Sequence, residues 1–193
     1  MSGNIMHKLV RAFMRIIFKI EIRGSENLPK EGGCMLCCNH LSMWDPVLIS
    51  CFMSRKISFI AKEELKKVPF VGGVLKGADT IFIKRNTSDL AAIKASMKAI
   101  GDGRVLGIFP TGTREKKDPA AKPKSGAALI AAKTGAIVVP VAINATYKIF
   151  SKVEVTIGEP IDYSECKGKK MNSEQLDKMA YEIYDKIVEI KSC

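Results

Sequence analysis

Cys34-Met35-Leu36-Cys37-Cys38-Asn39-His40-Leu41-Ser42-Met43-Trp44-Asp45-Pro46 is the stretch that decides the fold. Its opening run, Cys34 to Cys38, is apolar without alternation, the pattern of a strand buried on both faces. Asp45-Pro46 marks a helix start, because Asp is favoured at an N-cap and Pro at the first helical position. A buried strand leading through a short loop into a helix is the unit from which α/β domains are built.

The same alternation continues outward. Short β-like runs lie at Ile20–Arg23, Ile57–Ala61, Thr80–Lys84, Val105–Phe109, Ile137–Ile143 and Val153–Ile157. Helical patterns lie at Pro46–Met53, Val68–Lys76, Ser88–Ile100, Lys122–Thr134 and Ser173–Lys191, the last started by Ser173 with Glu174 in its first turn. This order predicts an α/β fold, a single domain with a largely buried mixed sheet flanked by helices. The 193 residues, 47% hydrophobic, suffice for one core. The charged segment Glu115–Lys124, with Pro119 and Pro123, reads as a long mobile loop.

From Ile5 to Ile20, Leu9, Val10, Phe13, Met14, Ile16, Ile17 and Ile20 alternate with Lys8, Arg11, Arg15 and Lys19. At helical spacing the four cations share an arc of about 80°. This predicts an amphipathic helix over residues 1–22 that associates with a membrane interface, followed by the domain proper over 23–193. The same pattern also fits a helix packed on its own domain with a solvated basic face. The cations recur every turn instead of preceding an apolar core, so a signal peptide is not the reading. No run of about 18 apolar residues is present to cross a bilayer as a helix.

The net charge of +11 favours an anionic partner, whether nucleic acid, phospholipid headgroup or phosphorylated substrate. With no nucleic-acid motif, the expectation is no nucleic-acid partner. The six cysteines form no disulfide framework. Cys34-x-x-Cys37-Cys38 beside His40 lacks a second ligand pair for zinc, and on a strand Cys37 and Cys38 would face opposite ways, so no metal site is expected.

His40, one of two histidines, stands on the loop after the apolar run. Asp45 lies five residues on, about 140° away on an ideal helix, so the two meet only if the segment turns. Asp45 could cap the following helix with one oxygen and accept from the imidazole with the other. An imidazole suits general-base work near neutral pH, and a carboxylate on its other nitrogen sets the tautomer.

Asn39-His40-x-x-x-x-Asp45 resembles the N-H-x-x-x-x-D motif of the glycerophospholipid acyltransferases, most closely the 1-acylglycerol-3-phosphate O-acyltransferases. Ile81-Phe82-Ile83-Lys84-Arg85, Phe109-Pro110-Thr111-Gly112-Thr113-Arg114 and Val138-Val139-Pro140-Val141-Ala142-Ile143 are similar to that family's later blocks, in the same order. The resemblance implies His40 as base and Asp45 as its partner. It implies Arg85 and Arg114 as a phosphate clamp, with Lys84, Gly112, Thr111 and Thr113 in the acceptor site. It implies transfer of an acyl chain from acyl-CoA or acyl carrier protein to lysophosphatidate at the cytoplasmic face of an anionic membrane, with no cofactor. One residue departs: Thr111 stands where the family has Glu, and a hydroxyl cannot pair with a guanidinium as an ion. Another lysophospholipid or glycerol 3-phosphate as acceptor, or a silent lipid-binding relative, are the alternatives it keeps open.

Overall fold

The apolar runs assemble side by side into one seven-stranded sheet in the computed structural model, which describes residues 5–68, 71–77, 80–83 and 89–191. In chain order the strands are β1 (Lys19–Arg23), β2 (Cys34–Cys38), β3 (Ile57–Lys62), β4 (Ile81–Ile83), β5 (Val105–Ile108), β6 (Ile137–Ala145) and β7 (Lys152–Ile157). Their spatial order is β1-β7-β6-β2-β5-β3-β4, and every neighbouring pair is parallel except β6 and β7. The helices are α1 (Ile5–Ile17), α2 (Asp45–Phe52), α3 (Val71–Gly77), α4 (Asp89–Gly101), α5 (Gly126–Thr134) and α6 (Ser173–Lys191). The mixed α/β sheet flanked by helices is thus the fold the sequence predicts.

Alternation along β2 divides the core into two layers. Cys34, Leu36 and Cys38 pack with Val10, Met14, Val47 and Leu48 of α1 and α2, whereas Met35 and Cys37 pack with Ala128, Ala131, Met179 and Ile183 of α5 and α6. Cys37 and Cys38 do face opposite ways. Burial pushes the Cys37 thiol up to about 12. Cys38 is raised too, first by burial and further by the charges of Cys37 and Asp45.

Several boundaries differ from the sequence reading. The N-terminal helix expected over residues 1–22 ends at Ile17, because Lys19–Arg23 joins the sheet beside β7 as β1. The helix expected from Lys122 begins at Gly126, because the Lys124 N–H is drawn to the Pro110 carbonyl at 2.9 Å. Asn172, not Ser173, caps α6: its Oδ1 accepts from the Gln175 N–H at 2.8 Å while Gln175 Oε1 accepts from the Asn172 N–H at 3.0 Å, a reciprocal capping box. Asp45 does not cap α2. It is the helix's first residue, Trp44 occupies the N-cap, and no side chain caps that end.

The N-terminal helix packs on the domain and also shows apolar surface to solvent. Val10, Met14 and the following Phe18 are buried, while Leu9, Phe13 and Ile16 are exposed. The guanidinium groups of Arg11 and Arg15 lie over the Phe52 ring at 5.2 and 5.7 Å. Among the described residues, no helix is long and apolar enough to cross a membrane.

Candidate active site

Parallel strands deliver their C-terminal ends to one edge of a sheet, where loops can converge. β2 ends at Cys38 and β5 at Ile108, and the two are adjacent, so His40 and Phe109 meet there. Their rings stack with centroids 4.0 Å apart and planes 19° apart.

The loop after β2 is held by Asn39, whose side chain imitates a strand residue. Its Oδ1 accepts from the Ile143 N–H at 2.7 Å and its Nδ2 donates to the Ile143 carbonyl at 2.9 Å. Nδ2 also donates to Glu115 Oε1 at 3.2 Å. Glu115 in turn donates its N–H to the His40 carbonyl at 2.8 Å and pairs with Lys191 at 2.9 Å. The backbone on either side of His40 is therefore tied to β6 and to the end of α6.

The segment then turns, as a meeting of His40 with Asp45 requires. Asp45 is fully buried, and its Oδ2 accepts from His40 Nδ1 at 2.7 Å and from the Leu41 and Ser42 N–H groups at 2.6 and 2.7 Å. Its Oδ1 accepts from the Tyr147 hydroxyl at 2.6 Å. The carboxylate thus turns back onto the loop instead of capping its helix, and four donors compensate the cost of burying its charge. With Nδ1 donating to Asp45, the neutral imidazole carries its lone pair on Nε2.

His40 forms part of the wall of a cavity of about 1050 Å³. Gly112 and Arg114 share that wall with His40; Thr111 and Thr113 do not. Thr111 is buried and donates its hydroxyl to the Thr113 carbonyl at 2.9 Å, so it stabilises the turn internally. Gly112 has φ 68°, and its N–H is taken by the Phe109 carbonyl at 2.9 Å, so that N–H is no ready anion donor. A Cβ at this position would stand 3.3 Å from Lys124 Nζ. Lys84 and Arg85 lie outside the described residues.

Three residues of the site escaped the sequence reading. Lys124 also lines the cavity and sets an ammonium over Gly112, but its position in a charged loop gave no sign of this. Tyr147 is more than 100 residues from Asp45 and nothing local pairs them. Burial, then the neighbouring Asp45 charge, raises its phenol above the usual tyrosine range. Phe109 reads in the sequence as the end of a strand and the start of a motif block, with no sign of its partner, and only the adjacency of β2 and β5 brings it to the histidine. Elsewhere the cavity is mostly apolar, with Phe59, Leu75, Ile93, Leu129 and Ile130 in its lining beside the polar Ser96, Ser125 and Asp177.

Residues 19–144 match the family model described as Acyltransferase. The chain is 35% identical over 136 residues to a 1-acyl-sn-glycerol-3-phosphate acyltransferase of Borreliella burgdorferi, a match covering 69% of this chain and 54% of the relative. The chain therefore spans about half that relative's length. The enzyme of the same name from Bacillus subtilis is 28% identical over 81% of this chain and 82% of its own. The crystal structure of the 1-acyl-sn-glycerophosphate (LPA) acyltransferase PlsC from Thermotoga maritima superposes with a TM-score of 0.70 at 31% identity, covering 97% of this chain and 79% of that one. On the family match and on this shared fold, the chain belongs to the acyltransferase family.

Proposed function

We propose that the chain transfers a fatty acyl group from an acyl thioester, acyl-CoA or acyl carrier protein, to the 2-hydroxyl of 1-acylglycerol 3-phosphate, giving phosphatidate. The observation that carries this reading is the 2.7 Å bond between His40 Nδ1 and a fully buried Asp45, at the wall of an apolar cavity that also presents Arg114 and Lys124. Membership of the family and the similarity to two 1-acyl-sn-glycerol-3-phosphate acyltransferases support it.

In this reading His40 Nε2 takes the proton of the acceptor hydroxyl as its oxygen attacks the thioester carbonyl carbon. The C–S bond then breaks, and the thiolate leaves with the proton returned from the imidazolium. Asp45 holds the ring's orientation and tautomer and stabilises the imidazolium while it exists. Arg114 and Lys124 hold the acceptor phosphate, the guanidinium by a two-pronged contact and the ammonium as a point charge. Arg85 and Lys84 are proposed to add to this clamp, and Thr111 and Thr113 to shape its turn. The apolar lining around Leu75, Ile93 and Ile130 takes the acyl chain.

The N-terminal helix α1 associates with the cytoplasmic face of an anionic membrane, peripherally or monotopically. The exposed Leu9, Phe13 and Ile16, beside the exposed cations Lys8 and Arg15, support this. A second reading, another lysophospholipid or glycerol 3-phosphate as acceptor, is favoured by Thr111, whose hydroxyl is committed to Thr113.

The test is thiol release from acyl-CoA or acyl carrier protein by purified protein on anionic vesicles, with each acceptor in turn, beside the His40→Ala variant. Release that depends on lysophosphatidate and falls about 10²–10⁴-fold in the variant is expected for loss of a general base. A fully active variant would remove His40 from the mechanism, and release with a different acceptor alone would replace the substrate.

A further inference from the structure

Two bulky residues in the β6–β7 connection hold left-handed backbone conformations, Tyr147 at φ 55° and Phe150 at φ 61°. Side chains with a Cβ adopt this region at a cost, and it persists where the surroundings over-determine it. Here the surroundings are the end of α1. The Phe150 N–H donates to the Ile17 carbonyl at 2.7 Å, and the Lys19 N–H donates to the Ser151 carbonyl at 3.0 Å. The Ser151 N–H closes the turn on the Lys148 carbonyl at 2.9 Å. The Phe18 ring meets the Tyr147 ring edge-on, centroids 5.6 Å apart.

The turn has two dissimilar sides. Inward, the Tyr147 hydroxyl donates to Asp45 Oδ1, the oxygen that His40 does not use. Outward, Ile149 and Phe150 are 72% and 67% exposed, bonded through Phe150 to the same helix end where Ile16 is 71% exposed. Lys19 and Lys148 are exposed beside them. Large apolar side chains at this exposure, edged by cations and continuous with the α1 stripe, match the chemistry of an anionic lipid surface.

We propose that the Tyr147–Phe150 turn is a lipid-seated positioning element: Ile149 and Phe150 enter the same anionic lipid surface as α1, and Tyr147 on its inner side holds Asp45 in register with His40. The proposal rests on the acyltransferase reading above, in which acceptor and product are both lipids. Tyr147 is a positioning residue, since it touches the base's partner and not the reacting atoms. Seating the turn in lipid immobilises it at the moment when the substrate is within reach.

Two variants test this on the full chain, with vesicles of phosphatidylglycerol and phosphatidylcholine. Tyr147→Phe keeps the ring on Phe18 and removes the hydroxyl. It is expected to lower kcat about 10- to 100-fold, the scale for losing an outer partner of a reacting group, with acceptor KM and vesicle flotation unchanged, and to lower Tm because the buried Asp45 loses one of its donors. Ile149→Ser/Phe150→Ser is expected to weaken vesicle flotation about tenfold or more and to lower the rate on vesicles with it. Wild-type kcat in Tyr147→Phe, or wild-type flotation of the double variant, overturns the proposal. An inactive wild type, or an active His40→Ala, would instead overturn the acyltransferase reading, and flotation of the double variant still decides whether the turn meets lipid.

Discussion

Phe109 stacks against His40 at 4.0 Å, and Phe59 stacks in turn on Phe109 at 5.6 Å with planes 11° apart. The histidine is thus held by two independent constraints. Asp45 sets which nitrogen bears the proton, and Phe109 sets the plane in which the other nitrogen's lone pair lies.

Phe109→Leu keeps an apolar side chain and removes the flat face. We expect kcat to fall about tenfold while the acceptor KM stays near wild type, since in the proposed mechanism the orientation of His40 acts on the transition state and not on ground-state binding. Steady-state kinetics of the purified variant checks this. A matching rise in KM with constant kcat would make Phe109 a substrate contact instead.

Arg114 and Lys124 line the same cavity as His40 but differ in how they can hold a phosphate. Arg114→Ala is expected to raise the acceptor KM about 10- to 100-fold, and Arg114→Lys to recover only part of it because the two-pronged contact is lost. Lys124→Ala should show a smaller rise, and one more easily masked by salt. Acceptor titrations at two ionic strengths separate the two.

The two apolar faces of α1 make opposite predictions. Met14 is fully buried against the sheet, so Met14→Ala is expected to cost about 2–5 kcal/mol of stability by chemical denaturation. Leu9→Ser/Phe13→Ser alters residues 62% and 51% exposed, and is expected to leave stability nearly unchanged while weakening flotation on anionic vesicles. A double variant that unfolds would show that the exposed stripe packs on the protein.

Alkali should unfold this chain for a specific reason. Cys37 is pushed up to about 12 by burial from a usual value of 9.0. Its thiol is therefore protonated in the folded state at pH values where the unfolded chain would release the proton. The stability tied to the neutral thiol is whole below pH 9.0 and declines as pH rises toward about 12. Cys51, also pushed to about 12 by burial, acts in the same direction. A Cys37→Ala/Cys51→Ala variant is expected to lose Tm less steeply than wild type between pH 9 and 11, measured by thermal melts across that range.

Much of this molecule is determined by the sequence alone, because the signals involved are local. Cys34–Cys38 can be read as a buried strand since continuous apolarity over five residues fits few other environments, and Ser173–Lys191 as a helix since its period is unbroken. His40 and Asp45 are only five residues apart, so a turn that brings them together is conceivable from the chain itself, and the resemblance to a known motif named it. Even there the detail was decided elsewhere. Asp45 turns its oxygens onto the Leu41 and Ser42 N–H groups, which a cap-forming reading of Asp-Pro does not anticipate.

Tertiary structure alone decided the partners that come from far along the chain. Strand order set β5 beside β2 and so put Phe109 on His40; the register of β6 carried Tyr147 to Asp45; and the end of α6 brought Lys191 to Glu115. It also decided that the N-terminal helix has two apolar faces. A period of three to four residues shows that Val10, Met14, Leu9 and Phe13 are apolar, but which of them meets the core depends on where α2 and α3 stand. Hydrophobic periodicity records how a residue repeats along its own helix, and burial is a property of what packs against it.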